Sequence, residues 1–211
     1  RPFASYEIPA KVYGTPYYLT LEERNAIYDM DLLGDPSLAS YRDVFMFQCL
    51  VGCRHSDLVR LTTDNIVDGA IEYIPHKTRG KNPRTVRVPL NGKAQAVLER
   101  LRCRQRATKT LIPHNAIGKY NAAIRKLLTL AGITRNVPVL DPKTHEEIMR
   151  PINEIASSHM ARRVFIGNLY KQVKDPNLVA SMSGHVDGSH AFARYRAIDD
   201  EMKIELVNLI N

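Results

Sequence analysis

The side chains with the most specific chemistry lie in one stretch, residues 157–195, which reads SSHMARRVFIGNLYKQVKDPNLVASMSGHVDGSHAFARY. It contains His159 and Arg162 three positions apart, then His185, then Tyr195 ten positions later. Residues three apart on a helix share a face, so the first imidazole and the guanidinium can point to one place. A guanidinium, two imidazoles and a phenol are groups that breaking a phosphodiester through a covalent tyrosine link would need.

Arg54 and Lys77, upstream of this stretch, supply the remaining groups. Phosphoryl transfer needs an in-line nucleophile, cations on the non-bridging oxygens and an acid for the leaving oxygen. Two arginines can each bind a phosphate in a bidentate manner. A phenol, with a reference pKa of about 10, needs help to attack at neutral pH. Nearby arginines favour the phenolate, His159 could accept the proton, and Lys77 could protonate the departing 5′ oxygen.

Arg54 also has a structural interpretation, because Asp57 lies one helical turn further on and could form an ion pair with it. Read alone, the structural and functional interpretations are equally well supported. They are compatible, since a carboxylate can orient an arginine that also binds a phosphate.

The composition and charge of the chain restrict the kinds of molecule that it is expected to bind. The chain has 211 residues, is 44% hydrophobic and carries a formal net charge of +8, which fits one domain with a full core and a polyanionic partner. The alternative is a solvated basic surface. Neither a membrane-spanning apolar run nor a signal peptide is present, and the three cysteines fit a reduced, cytoplasmic setting. The start at Arg1 favours a fragment of a longer protein.

A metal or other cofactor is not expected. The sequence has no CxxC pair, no HExxH motif and no carboxylate cluster. His185 and His190 are close in sequence, but a third ligand is missing nearby.

The first half of the chain predicts two helices followed by a hairpin. Thr20 and Glu23 form a capping box for a helix to about Asp29, and a buried helix runs from Ser37 to Val51 and ends at Gly52. The hairpin pairs residues 70–74 with residues 85–90. The segment that connects the two strands carries five basic side chains: His76, Lys77, Arg79, Lys81 and Arg84. It is either a solvated turn or a loop that reaches DNA.

The second half predicts helices that flank a long loop. One helix follows Asn91-Gly92 and buries Ala94, Val97, Leu98 and Leu101, with its arginines largely on other faces. The next is capped by Asn115, ends at Gly132 and buries Ile117, Ala123, Ile124, Leu127, Leu128 and Ala131. Its cations, Lys119, Arg125 and Lys126, could contact DNA, although a solvated face is slightly favoured.

The long loop, residues 133–156, has room for a short hairpin. Asp175-Pro176 predicts the start of a short helix that ends at Gly184. A last amphipathic helix is expected from Asp199 or Asp200.

Four of these segments resemble the motifs of the tyrosine recombinase (phage integrase) family, in the family's order. VGCRHSDLVRLTTDNI resembles the first motif, G-x-R-x-S-(D/E)-L-x-x-L; HMAR resembles H-x-x-R; SGH resembles (L/S)-G-H; and Tyr195 matches the terminal nucleophile. The phrases FMFQCLVGCRHSDL and HAFARYRAID are most similar to integrases of Bacteroides-type mobile elements.

The resemblance implies a mostly α fold with a small antiparallel β-sheet, the tyrosine recombinase catalytic domain, over residues 19–211. Residues 1–18 would be a linker or arm from a missing N-terminal core-binding domain. Such enzymes cut one DNA strand at a time through a 3′-phosphotyrosine and rejoin it without ATP or metal. The implied partners are double-stranded DNA, a homo-tetramer on paired DNA sites, and accessory DNA-bending or directionality proteins, with no membrane. The implied location is the bacterial cytoplasm, at the nucleoid.

The resemblance also assigns roles. Arg54 and Arg162 would hold the scissile phosphate, with Asp57 supporting the first. Lys77 would be the general acid, His159 would assist proton transfer, His185 would hydrogen-bond the phosphate, and Tyr195 would attack. Candidate DNA-binding residues are Arg79, Lys81, Arg84, Lys119 and Arg163.

The spacing of the tyrosine departs from the family pattern. The nucleophile commonly follows the second histidine by nine residues, but here that position is Arg194 and Tyr195 is the tenth. We interpret this as one extra residue in the turn 186–189. If the shifted tyrosine cannot reach the phosphate, the chain would be a non-catalytic DNA-binding regulator with the same fold. A second alternative is a type IB topoisomerase-like activity, which uses similar groups but relaxes DNA without exchanging strands between partners.

Overall fold

A computed structural model describes residues 14, 16–80, 83–104, 108–113, 116–141, 143–173 and 175–185. The fold is mostly helical with two small antiparallel sheets. The helices are α1 (Leu21–Tyr28), α2 (Pro36–Val51), α3 (His55–Leu58), α4 (Gly92–Arg104), α5 (Ile117–Leu130), α6 (Ile152–Ile155), α7 (Ser158–Gln172) and α8 (Pro176–Ser183). The strands are β1 (Ile66–Val67), β2 (Ala70–Tyr73), β3 (Val86–Pro89), β4 (Asn136–Leu140) and β5 (Glu147–Pro151).

The ends of the first two helices follow local capping chemistry, and they confirm the predicted capping box of α1 and the predicted end of α2 at Gly52. The Glu23 N–H donates to the Thr20 hydroxyl at 3.2 Å, while the Thr20 N–H donates to the Glu23 carboxylate at 2.9 Å. Asp35 caps α2 by accepting from the Leu38 N–H at 2.9 Å, and Pro36 occupies the first turn, where its missing N–H is tolerated. Gly52 ends α2 in the left-handed conformation.

Helix α2 is the centre of the core, because it packs against α1, α4, α5 and α7. Its middle is buried on every side, as in Val44, Phe45, Met46 and Phe47. Full burial of each such side chain contributes roughly 1.5–3 kcal/mol. Arg54 follows directly after this helix, and α7, which carries His159 and Arg162, packs against it.

A buried carboxylate joins α2 to α4. Asp43 has no exposed surface and accepts hydrogen bonds from three guanidinium groups, those of Arg42 at 3.1 Å, Arg100 at 3.0 Å and Arg104 at 2.6 Å. We call these four residues the Asp43 cluster. Because Arg100 and Arg104 lie off the apolar face of α4, as expected from the sequence, they can reach over its edge to the carboxylate.

The three-stranded sheet has the order β1-β2-β3 with antiparallel pairing, in which Ile71 lies opposite Val88 and Tyr73 opposite Val86. It confirms the predicted hairpin, and α8 packs against β3. The second sheet is the hairpin of β4 and β5. The segment interpreted as a long loop with room for a hairpin thus contains two strands and the short helix α6.

Two details of α5 correct the sequence interpretation. Ile117, predicted to be buried, is 47% exposed, and Tyr120 fills the core at the start of the helix. Asn115, the predicted cap, lies outside the described residues, and the N-cap is Ala116, which makes no side-chain capping bond. The predicted last helix from Asp199 or Asp200 also lies outside the described residues. Within the described ranges, no helix combines the length and apolarity needed to cross a membrane.

Candidate active site

Arg54 begins α3 and follows the turn that ends α2. Two observations exclude a side chain at Gly52. Its φ of +68° is a left-handed conformation that favours glycine, and an added Cβ would lie 2.2 Å from the Phe165 ring. The Gly52 N–H donates to the Gln48 carbonyl at 2.9 Å, and the Gln48 side-chain amide donates to the Cys53 carbonyl at 3.0 Å. Arg54 therefore extends from a backbone turn that is fixed by hydrogen bonds.

The Gln48 side chain is itself held by Tyr120. The phenolic hydroxyl donates to Gln48 Oε1 at 2.8 Å, and both residues are fully buried. Neither residue was predicted from the sequence to have a role. Gln48 is the one amide in an otherwise apolar run, and this is the only local signal that it has a specific partner.

Arg162 links the Arg54 turn to His185. Its side chain extends from α7 and is 2% exposed. Nη1 donates to the Gly52 carbonyl at 2.9 Å, and Nη2 lies 3.2 Å from Nδ1 and 3.4 Å from Nε2 of His185. One guanidinium thus connects two segments that are far apart in the sequence.

His185 follows α8 in a tight turn. The helix starts with Asp175, whose carboxylate accepts from the Asn177 N–H at 2.8 Å, and ends at Gly184 with φ of +63°. A Cβ on Gly184 would lie 2.9 Å from Val86 Cγ2 and 3.2 Å from Pro75 Cγ. Glycine is therefore required both for the backbone angle and for close packing on the three-stranded sheet. The predicted cap and stop are confirmed.

The electrostatics of His185 show that four basic groups converge. Burial, followed by the positive charges of Arg162, Arg54 and His159, lowers the pKa of its imidazole to about 3. The ring is therefore neutral at pH 7. His159 is exposed at the start of α7, whereas Arg162 is buried one turn later on the same side. We call these four residues the candidate-site cluster.

Arg54 keeps an unused donor. Its Nη1 is buried and has no hydrogen-bond partner among the residues that the structure describes. Within the same residues, Arg54 and Asp57 do not form the ion pair that the structural interpretation required. Asp57 instead accepts from the His76 N–H at 2.9 Å and joins α3 to the start of the β2–β3 connection. A buried cationic donor without a partner is costly, so an anion is the ligand that fits this position.

Comparison with known proteins identifies the family. Residues 17–202 match the Phage integrase family. The chain belongs to this family. No curated protein sequence matches the chain.

Solved structures of integrase-family recombinases have the same fold. XerH site-specific recombinase bound to palindromic difH substrate is 16% identical (TM-score 0.62), over 92% of this chain and 53% of that one. Lambda integrase 75–356, a dimer bound to a COC' core site, is 18% identical (TM-score 0.62), over 92% and 62%. The lambda integrase catalytic core is 17% identical (TM-score 0.56), over 82% and 94%. The chain spans about half the length of XerH, and its fold is that of the tyrosine recombinase catalytic domain.

The other two predicted catalytic residues of this integrase-family chain are placed less directly. Lys77 is exposed in the turn after β2, two residues beyond Pro75, which packs on Gly184. Tyr195 lies outside the described residues. Tyr73 is a second phenol near the cluster, but burial, followed by the neighbouring Cys53, raises its pKa far above the ordinary value. Its hydroxyl stays protonated, which makes Tyr73 a poor nucleophile.

The predicted DNA-binding residues of the integrase-family domain do not share one environment. Arg79 lines a groove of about 280 Å³ together with Arg60 and His76. Arg84 and Lys119 are exposed, and Lys81 lies outside the described residues. Arg163 is half-buried, with its guanidinium carbon 4.6 Å from the centre of the Tyr17 ring.

The other two basic residues of α5, Arg125 and Lys126, bond to groups within this domain. Arg125 donates to the Ala156 carbonyl at 3.1 Å, and Lys126 pairs with Asp35 at 2.9 Å. Among the described residues, no group of three potential metal ligands occurs.

Proposed function

We propose that this chain is the catalytic domain of a site-specific DNA recombinase, which cuts and rejoins DNA strands through a covalent 3′-phosphotyrosine at Tyr195. The observation that carries the proposal is that Arg162 bonds both the Gly52 carbonyl, two residues before Arg54, at 2.9 Å and the His185 ring at 3.2 Å. The buried Nη1 of Arg54 is an unused cationic donor at that point, and a phosphate oxygen would supply its acceptor.

In the proposed reaction, the Tyr195 oxygen attacks phosphorus and the bond to the 5′ oxygen breaks. His159 accepts the phenolic proton, and the Lys77 ammonium donates a proton to the departing 5′ oxygen. Arg54 and Arg162 stabilise the charge on the non-bridging oxygens, and His185 adds a hydrogen bond. The 5′-hydroxyl of another strand then reverses these steps, so the number of phosphodiester bonds is conserved and ATP is not needed.

The proposed substrate is double-stranded DNA, acted on by a homo-tetramer across paired sites. Support comes from solved relatives: XerH is bound to difH substrate, and a lambda integrase tetramer is bound to a Holliday junction. Residues 19–211 would form the catalytic domain, and residues 1–18 a linker from a core-binding domain. An origin in a Bacteroides-type mobile element, a cytoplasmic location at the nucleoid and accessory DNA-bending proteins complete the proposal.

Covalent trapping on nicked suicide half-sites, drawn from a randomised pool, tests the proposal. The wild type should give a protein–DNA adduct on a denaturing gel, and Tyr195→Phe should give none while still shifting the DNA in a native gel. Tyr73→Phe is the matched control, because its protonated phenol is expected to be dispensable for the adduct. An adduct that persists in Tyr195→Phe, or DNA binding without any adduct in the wild type, would contradict the proposal.

A further inference from the structure

We infer that Gln48 and Tyr120 are positioning residues, which hold the backbone turn before Arg54 in the orientation that phosphate binding requires. This inference rests on the proposed function, in which Arg54 and Arg162 bind the scissile phosphate. Neither Gln48 nor Tyr120 would contact the DNA itself. Their hydrogen bonds would determine where the two guanidinium groups lie when the phosphate arrives.

Two successive backbone carbonyls precede Arg54, and each accepts a hydrogen bond from a buried side chain. The Gly52 carbonyl accepts from Arg162 Nη1 at 2.9 Å, and the Cys53 carbonyl accepts from the Gln48 amide nitrogen at 3.0 Å. Arg162 is 2% exposed and Gln48 has no exposed surface. The positions of Arg54 and Arg162 are therefore coupled through one turn, and Gln48 holds the peptide group that joins this turn to Arg54.

The chemistry of its two partners determines how the Gln48 amide is oriented. A backbone carbonyl can only accept, so the amide nitrogen must face Cys53 and the amide oxygen must face Tyr120. The phenol must then donate, and its oxygen lies 2.8 Å from Gln48 Oε1. Burial, followed by the neighbouring Cys49 and Cys53, raises the pKa of Tyr120 well above its ordinary value, so the hydroxyl keeps its proton. The hydrogen bonds therefore run from phenol to amide to carbonyl in one direction only.

Tyr120 also contacts the residue that follows Arg54. Its ring lies against the ring of His55, with 5.4 Å between the centroids, and it stacks on Tyr41 at 6.3 Å. The side chain extends from the start of α5 and has no exposed surface. Tyr120 thus supports Arg54 on both sides, through Gln48 before it and through His55 after it. Phenylalanine would fill the same space, but only the hydroxyl can hold the Gln48 amide.

The accuracy of this support matters because Arg54 has a buried Nη1 with no hydrogen-bond partner in the part of the chain that the structure describes. A donor that meets a reacting phosphate must be placed to within about half an ångström. Without the Gln48 bond, the Cys53 carbonyl would lose a buried donor and the turn would gain freedom to move. Arg54 would move with it, and so would the acceptor of Arg162.

The first test is NMR of the protein labelled in its arginine side chains, because a buried, hydrogen-bonded guanidinium rotates slowly and shows separate Nη resonances. In Gln48→Met, which keeps the length of the side chain and removes its polar atoms, the Arg162 Nη1 resonance should shift because its acceptor moves. Tyr120→Phe should give a smaller shift, since the amide remains. Asp43→Asn is the control for a changed buried polar group in the same helix, and it should leave the Arg162 resonance unchanged.

Cleavage measurements add a second readout. Gln48→Met should slow adduct formation by about ten- to hundredfold, the range expected when reacting groups are displaced by up to about 1 Å. DNA affinity should change by less than about threefold, because most of it comes from other phosphate contacts. Asp43→Asn is again the control: it should lose stability but cleave normally per folded molecule, so loss of stability alone would not explain a slow Gln48→Met.

Gln48→Glu provides a rescue. A protonated carboxyl group can donate to the Cys53 carbonyl and accept from Tyr120, whereas a carboxylate can only accept. Its cleavage rate relative to wild type should therefore rise as the pH is lowered and the buried carboxyl group takes up its proton, while the relative rate of Gln48→Met stays constant.

Three results would overturn the inference: an Arg162 resonance unchanged in Gln48→Met, an unchanged cleavage rate in that variant, or equal relative rates for Gln48→Glu and Gln48→Met at every pH. Absence of the Tyr195 adduct in the wild type would instead count against the proposed function and leave the NMR result standing.

Discussion

Two groups of arginines in this domain have opposite arrangements of charge. In the Asp43 cluster, three guanidinium groups surround one fully buried carboxylate and satisfy both of its oxygens. In the candidate-site cluster, the described partners of Arg162 are an uncharged carbonyl and a neutral imidazole. Arg54 there retains a buried donor with no partner among the described residues. The Asp43 cluster contains its own anion, whereas the four residues of the candidate-site cluster include none.

The two groups also differ in what supports them. In the Asp43 cluster, the salt bridges themselves join α2 to α4. Arg54 and Arg162 instead rest on a separate layer of hydrogen bonds, which runs from Tyr120 through Gln48 to the turn at Gly52 and Cys53. This layer fixes the backbone, while Nη1 of Arg54 has no partner among the described residues. Charge compensation therefore separates the two groups of arginines more clearly than burial does.

The largest expected effect follows from the same conservative change made in each cluster. Arg54→Lys should slow adduct formation by about 10²–10³-fold, the size of losing one preorganised donor to a transition-state oxyanion. Its thermal stability should be unchanged or higher, because a buried unpartnered donor is removed. Arg104→Lys, in the Asp43 cluster, should instead cleave normally. A rate for Arg54→Lys within fivefold of wild type would show that the two clusters are not functionally different.

The reverse pattern is expected when the carboxylate of the Asp43 cluster is removed. Asp43→Asn leaves Arg42, Arg100 and Arg104 without their shared acceptor charge. Removing one partner of a fully buried pair costs about 3–5 kcal/mol, and partial exposure of two of these arginines should reduce that to roughly 2–3 kcal/mol. Urea unfolding should show this loss, with a normal cleavage rate per folded molecule. Asp31→Asn, an exposed carboxylate, is the control, and an equal loss in both variants would remove the structural role assigned to Asp43.

The sequence allowed local features of the site to be predicted, because short-range rules govern them. The caps at Thr20 and Asp175 and the helix stops at Gly52 and Gly184 depend on neighbours a few residues away. These features place Arg54 after one turn and His185 after another. The convergence of the two turns was inferred from family motifs, not from periodicity.

The supporting contacts could not be predicted, because they join distant residues. Arg104 and Asp43 are 61 positions apart, and Tyr120 and Gln48 are 72 apart. Nothing in a hydrophobic pattern selects one arginine or one amide as the partner. Ile117 shows the limit of periodicity itself: it lies on the predicted apolar stripe of α5, yet the first turn extends beyond the core and Tyr120 takes the buried position.

The smallest predicted effect is the pH dependence that the candidate-site cluster imposes on folding. The pKa of His185 is lowered in the folded protein from 6.5 to about 3, so below pH 6.5 the unfolded chain takes up a proton that the folded protein does not. Stability should therefore fall as the pH decreases, and between pH 7 and 5 a half-buried histidine should account for about 1–2 kcal/mol of the loss.

His185→Gln should lose less stability over this range than the wild type, as measured by urea unfolding at both pH values. His145→Gln, in the exposed turn between β4 and β5, is the matched control for removing an imidazole. Equal losses in the wild type and His185→Gln would mean that neither burial nor the positive charges of Arg162, Arg54 and His159 lower the pKa of this ring. If they do act, a short DNA half-site should reduce the wild-type loss, because a phosphate among these cations favours the protonated imidazole. The Asp43 cluster already contains its anion, so the same DNA should leave the stability deficit of Asp43→Asn unchanged.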